Sequence, residues 1–341
     1  MKRSAFTGAR AALIAISGAA LIATAGAGHA ERLQAESAGA SGLTTIVLQV
    51  TARALDGSDT SLQINTDQTL TRSALKLAAD KIDVAIVPPG AYIAMTKGVG
   101  PYKENPDQAK ELAPNLRSLF AFTAGIFHPV VFANSGIEDW EDIRGKRVFT
   151  GPPGGAAGAQ IEGLLKVAGG LEPGTDYESI KMGWGAAVPA FQDGQFDMLV
   201  FPTALGSASL VQLALLRDIR MLAVDQEIAK SEAFAEYLVN NGAIPGRIPA
   251  GLYDGQVNND APVETAGYTL LNAVNASMSD DIAYELTAAF WDNLDANKKD
   301  VALLSYTDMT PFAGNPMPLH PGAAKYYRDK GLDIPDTLIA K

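Results

Sequence analysis

From residue 147 onward, short β-prone runs alternate with stretches whose apolar residues recur at helical spacing. The runs 147–150, 179–182, 197–201 and 220–224 are each followed by a predicted helix, at 156–168, around 188–192, at 205–217 and at 227–239. Strands alternating with helices imply βαβ units and a parallel sheet, so the predicted fold class is α/β. Right-handed crossovers then place the loops 151–155, 183–187, 202–206 and 225–226 on one edge, where open α/β sheets bind ligands.

The rest of the chain is less regular. Residues 31–42 are polar and Ala-rich and read as a flexible tail. Thr44-Thr45-Ile46-Val47-Leu48-Gln49-Val50 reads as a first strand, 62–65 as a second and 70–79 as a helix. The continuous apolar run 84–87 has the character of a doubly covered parallel strand. Pro88-Pro89-Gly90 ends it and leaves Tyr92 on a loop. Strands are expected at 116–122 and 130–132, a connector at 241–256 and an amphipathic helix at 280–293. A Pro-rich loop over 310–321 and a short helix over 322–330 close the pattern.

The stretch GKRVFTGPPGGAAGAQIEGLLKVAGG, 145–170, carries the clearest chemical signal. Two prolines flanked by glycines stop the strand. From Ala156 a helix begins with Ile161, Leu164, Leu165 and Ala168 on one face, and Gly169-Gly170 stops it. Such a turn aims free backbone N–H groups at one point, which suits a small anion; a plain tight turn is the structural alternative. No Lys-Ser or Lys-Thr pair follows, and G-x-G-x-x-G is absent, so neither a nucleotide phosphate loop nor a dinucleotide turn fits.

At the start, Lys2, Arg3 and Arg10 precede an apolar stretch over 11–25, and Gly28 and Ala30 place small residues at −3 and −1. This pattern predicts a secretory signal peptide over 1–30 and a periplasmic protein. Removing it takes the formal charge from −11 to −14, which disfavours nucleic acid and anionic membrane surfaces as partners. At about 100–200 residues per domain, the remainder suggests two lobes, 43–127 with 244–341 and 128–243. Cysteine is absent, so disulfides and thiol chemistry are excluded.

The residues assemble no enzyme. No H-x-x-x-H pair or G-x-S-x-G elbow is present, and the paired carboxylates suit helix starts and solvated loops. No metal or cofactor is expected. His320, between Leu319 and Pro321, reads as packed or capping, and Trp140 and Trp291 as structural. Trp184, between Gly183 and Gly185, is placed to swing over a ligand. The candidate ligand-binding set is Thr66, Tyr92, Phe127, Gly154, Gly155, Ala156, Ala157, Trp184, Ala187 and Thr203.

Several stretches together resemble a known family. GVGPYKENPD, LRSLFAF, SGIEDWEDIRGKRVFTGPPGG, IPAGLYDGQ and LHPGAAKYYRDKG are similar, in order from about residue 80 to 338, to TAXI solute receptors of TRAP (tripartite ATP-independent periplasmic) transporters. The segment from His320 to Tyr327 is especially characteristic. The resemblance implies a type II periplasmic-binding-protein fold of two α/β lobes. These would close on a small organic anion, glutamate-like or another carboxylate, and deliver it as a monomer to TRAP membrane subunits. An exported sensor serving a signalling partner is the alternative. Two departures stand out. The family's Gly/Tyr-rich segment and full helix after strand one are missing from 49–61, and its GPPGSGT-like loop has lost its hydroxyls at 151–157.

Overall fold

The computed structural model describes residues 31–40, 42–301, 304 and 311–340; the expected signal peptide lies outside them. Ten strands form one sheet: β1 (Glu31–Glu36), β2 (Thr60–Asn65), β3 (Val84–Val87), β4 (Leu116–Phe132), β5 (Arg147–Phe149), β6 (Glu178–Ile180), β7 (Met198–Thr203), β8 (Ile219–Met221), β9 (Ala243–Ile248) and β10 (Val263–Asn275). Their order is β2-β1-β3-β10-β4-β7-β5-β6, with β8 added to β4 and β9 to β10. The α/β class read from the sequence is the class observed, and β5 runs parallel to β6 and β7 as the alternating pattern requires.

The beginning of the chain departs from expectation. Glu31–Glu36 is no tail: it is a strand paired in parallel with β2 and β3. Its buried Glu36 is held by the Ser73 hydroxyl and Lys76 ammonium, both at 2.6 Å, which offsets the cost of burying the carboxylate. The expected strand 44–50 is part of helix α1 (Leu43–Ala54). β-Branched residues gave it a strand-like look, but Thr44, Thr45, Val47, Leu48, Val50 and Thr51 make one buried helical face.

Helices α2 (Leu70–Ala78) and α3 (Pro89–Lys97) follow β2 and β3, so Tyr92 is helical rather than on a loop. Pro89 sits in the first turn of α3, where its missing N–H has no helical partner to lose. Helix α4 (Pro106–Leu112) leads into β4. Past β4 come α5 (Ala157–Gly169), α6 (Trp184–Gln192), α7 (Ala208–Leu216), α8 (Gln226–Ala229) and α9 (Glu232–Asn241). The single helix expected over 227–239 is two, because the Ser231 side chain caps a new start by accepting from Phe234 N–H at 3.2 Å. Helices α10 (Asp280–Trp291), α11 (Leu294–Asp300) and α12 (Pro321–Asp329) complete the order.

The strands expected at 116–122 and 130–132 join into β4. With β10 it crosses the whole sheet: Leu116–Ile126 pair with β10, while Ile126–Phe132 pair with β7 and β8. β10 in turn begins on β9 and ends on β3. Two apolar clusters flank the first half of the sheet, one around Leu48, Phe120 and Tyr327, the other around Leu77, Val87 and Met95. Two more flank the second, around Trp140, Ile161 and Leu164 and around Phe149, Phe191 and Leu210.

Ile248, Tyr253 and Val263 belong to that last cluster, so the return to the first half expected at 244 comes later, inside β10. The expected connector 241–256 contains β9. Gly246 keeps it on the sheet, since a Cβ there would lie 2.5 Å from the Ala266 carbonyl carbon. The family-like His320–Tyr327 segment is architectural. His320 is buried and caps α12 through Gly322 N–H at 3.2 Å, and the Tyr327 hydroxyl donates to Leu119 O at 3.0 Å. Trp140 and Trp291 are likewise buried, donating to Ala223 O and to the Tyr327 hydroxyl.

Candidate functional site

The carboxyl ends of the strands from both halves meet at one edge, and their loops touch. From the second half, the turn after β5 opens α5. Gly151 and Gly154 take φ of +97° and +72°, values that suit glycine. Gly155 N–H does not point free, as the sequence suggested; it donates within the turn to Pro152 O at 3.3 Å. The N–H donors left without a partner are those of the first turn of α5, from Ala157 on, where no side chain caps the helix.

From the first half, the Thr71 hydroxyl in α2 donates to Gly154 O at 3.3 Å. Ala156 packs against the apolar cluster of the first half, and a Cβ on Gly90 would lie 3.9 Å from the Ala156 Cβ. Gly242, which ends α9 at φ +57°, presses on Pro89 so closely that a Cβ there would overlap the proline ring. Gln160 ties α5 to the same corner by donating to Asn241 O at 2.9 Å. The two halves are in contact around the start of α5.

A second loop at this edge was not anticipated. Gly39 and Gly42 lie between β1 and the uncapped start of α1, so a full helix does follow the first strand, earlier in the chain than expected and without the tyrosine of the family's segment. The Thr45 hydroxyl donates to Gly39 O at 3.0 Å and also bonds the Ser37 hydroxyl, which fixes the turn. Backbone bonds from Asp67 N–H to Ala38 O at 2.8 Å and Gln68 N–H to Ser37 O at 3.0 Å join this loop to the one after β2. The Ser37, Thr45 and Thr71 hydroxyls are buried and spent on holding these turns.

The predicted residues divide. Gly154, Ala156, Ala157 and Trp184 gather at the edge, with Gly155 spent on the turn. Trp184 opens α6 instead of lying on a loop. Its indole packs edge-on against Phe149 and Phe201 at 5.5 and 6.0 Å, and it lies against Gly151. Thr66 and Thr203 are half-buried on loops after β2 and at the end of β7. Phe127 and Ala187 do not qualify: both are 0% exposed, Phe127 against Tyr268 and Ala187 within the cluster around Phe191. Tyr92 faces the outer end of the first half, beside Arg117 and Lys110.

The loop after β7 is held by a buried relay. His128 Nδ1–H donates to Ile126 O at 3.0 Å, which leaves Nε2 to accept from the Tyr253 hydroxyl at 3.0 Å. Tyr253 accepts in turn from Gly206 N–H at 3.0 Å. Burial pushes His128 from the usual 6.5 down to about 4. Between these values the unfolded chain binds a proton that the folded chain refuses. Stability should therefore fall by about 3 kcal/mol as pH drops from 6.5 to 4. Chemical denaturation across that range should show the slope in the native protein and lose one proton's share of it in His128→Gln. An identical slope in the variant would remove His128 from the account.

A family model described as the NMT1-like family matches residues 53–331, most of the chain. The chain belongs to the NMT1-like family. Among solved structures, this NMT1-like chain is similar to a protein from Bordetella bronchiseptica RB50, at 13% identity and a TM-score of 0.50, covering 89% of this chain and 85% of that one. It is also similar to the periplasmic aliphatic sulphonate binding protein SsuA from Escherichia coli, at 14% identity, a TM-score of 0.44 and coverage of 87% and 83%. A TRAP periplasmic solute binding protein from Rhodobacter sphaeroides matches at 14% identity and a TM-score of 0.41, covering 88% and 92%.

Proposed function

We propose that this protein is an exported, non-catalytic solute receptor for an ABC or TRAP-type membrane transporter. It binds a small organic anion between its two halves and releases it to membrane subunits. The observation that carries this reading is that the strand-to-helix turns after β1 and β5 are both bonded to the segment running from β2 into α2, at an edge that β4 and β10 cross. Each uncapped helix start offers unpaired N–H donors and about half a positive charge. Two sheet strands between the halves leave a narrow waist about which they can separate. The TAXI-like motifs favour a TRAP partner and a carboxylate, and α1 supplies a full helix after the first strand, although the tyrosine of the family's segment is absent.

Trp184 reports on this site because it lies against Gly151, six residues before the first turn of α5. Adding glutamate, succinate or an aliphatic sulphonate as separate probes should change its fluorescence saturably with at least one of them. Trp184→Phe should remove the signal and weaken binding measured by calorimetry. Signal and affinity both surviving in that variant would place the site elsewhere.

A further inference from the structure

We infer that the protein carries a second, independent anion site on the outer end of its first half, formed by Arg117, Lys110 and Tyr92, that accepts an organic monocarboxylate with a small apolar body. This goes beyond the receptor reading and does not depend on it.

A cavity of about 330 Å³ opens between α3, α4 and the first residues of β4. Arg117 projects from the second position of β4, eight residues before Gly125 near the crossing of the two halves. At about 3.3 Å per residue that is roughly 26 Å along the strand. Lys110 lies against Gly98 past the far end of α3, so the cationic end of the site is set well apart from the start of α5, while Tyr92 stands two residues past Gly90, which abuts Ala156.

The electrostatics of the cavity are unusual for this chain, in which 38 acidic residues outnumber 27 basic ones. Among the described residues Arg117 makes no ion pair with a carboxylate. Its Nη1 donates to Pro114 O at 2.6 Å and Leu116 O at 2.8 Å, which orients the guanidinium and leaves its other N–H groups uncommitted to those carbonyls. Lys110 has one distant, exposed partner, Asp107 at 3.9 Å, a contact worth little. The Tyr92 phenol, pushed further above its usual 10 by burial, is protonated at neutral pH and so a donor. An oriented guanidinium, an ammonium and a phenol O–H around one cavity match the acceptor geometry of a carboxylate. Pro114 and Pro318 supply apolar walls for its body.

Benzoate is the probe, with the isosteric neutral benzamide as its control, followed through the backbone amide resonances of Thr96, Lys110 and Arg117 in the full-length mature protein. Benzoate should shift these saturably and benzamide should not. Arg117→Gln should weaken the response about 10- to 150-fold, the range for losing one charge-assisted hydrogen bond. Because Arg117 also bonds backbone carbonyls, Lys110→Gln with Tyr92→Phe provides a second variant that leaves those bonds intact and should also weaken it. Ala157→Asp, in the cleft, should leave it unchanged. Equal shifts with benzamide, no shifts with benzoate, or a full response in both variants would overturn the proposal.

Discussion

Replacing Ala157 by aspartate is expected to abolish anion binding while leaving the protein at least as stable as before. Ala157 is the first residue of α5 and half-buried at the meeting of the halves. A carboxylate there competes for the same N–H donors as the ligand and faces it at close range. Two like charges about 4 Å apart at an effective dielectric near 20 repel by about 4 kcal/mol, close to a thousandfold in affinity. The same charge opposes the helix dipole favourably and should add about 0.3–1 kcal/mol of stability. Opposite signs for binding and stability separate this outcome from simple misfolding. Ala159→Asp, two residues on and exposed, shares the dipole gain without reaching the donors, so its loss of affinity should be far smaller. Calorimetry and thermal denaturation on the three proteins decide the matter. If the ligand bound by the native protein binds Ala157→Asp equally well, the donors of α5 are not its seat.

Gly242→Ala should hold the halves apart. Gly242 has φ +57°, where alanine costs about 1–2 kcal/mol, and its new Cβ would overlap Pro89 on α3. Backbone strain remains whatever the halves do, but the overlap is relieved if α3 and α9 separate. The variant should therefore fold with a modestly lower melting temperature and show a larger radius of gyration by small-angle scattering. Its affinity should fall about 10- to 100-fold as the closed state is depopulated. Pro89→Gly removes the clashing ring, so the double variant should regain compactness without regaining all the stability. Native compactness and affinity in Gly242→Ala alone would show that the Pro89 contact plays no part in closure.

Much of the second half was legible because its elements obey local rules. The turn 151–155 breaks a strand and starts a helix by proline and glycine chemistry alone, and the alternation after it reports a parallel sheet. The first half misled where tertiary contacts overrode propensity. Thr44–Val50 is rich in β-branched residues, yet its burial follows a helical period set by packing against α10 and the sheet. Glu31–Glu36 looks like solvated chain because the Ser73 and Lys76 partners of Glu36 lie some 40 residues away.

That single exchange of strand and helix hid the turn Ser37–Gly42, since a Gly-rich segment signals a site only once the strand before it is recognised. Phe127 and Ala187 were misplaced for a related reason. Each lies close in sequence to the edge, but the side chain turns into the core, and the direction of one residue within a strand or first helical turn depends on register. Pro129 gave no hint of a continuous β4; it stays in the sheet because its carbonyl still accepts, from Leu222 N–H at 3.0 Å.

If the two halves close on a small organic anion, that anion should stay with the protein through purification. Protein purified from its native compartment without added solutes, then denatured and examined by mass spectrometry, tests it most directly. One small acidic compound, carboxylate or sulphonate, should be released in near-equal amount with the chain and be absent from Ala157→Asp prepared the same way. A neutral or cationic compound released in that proportion by the native protein would contradict it.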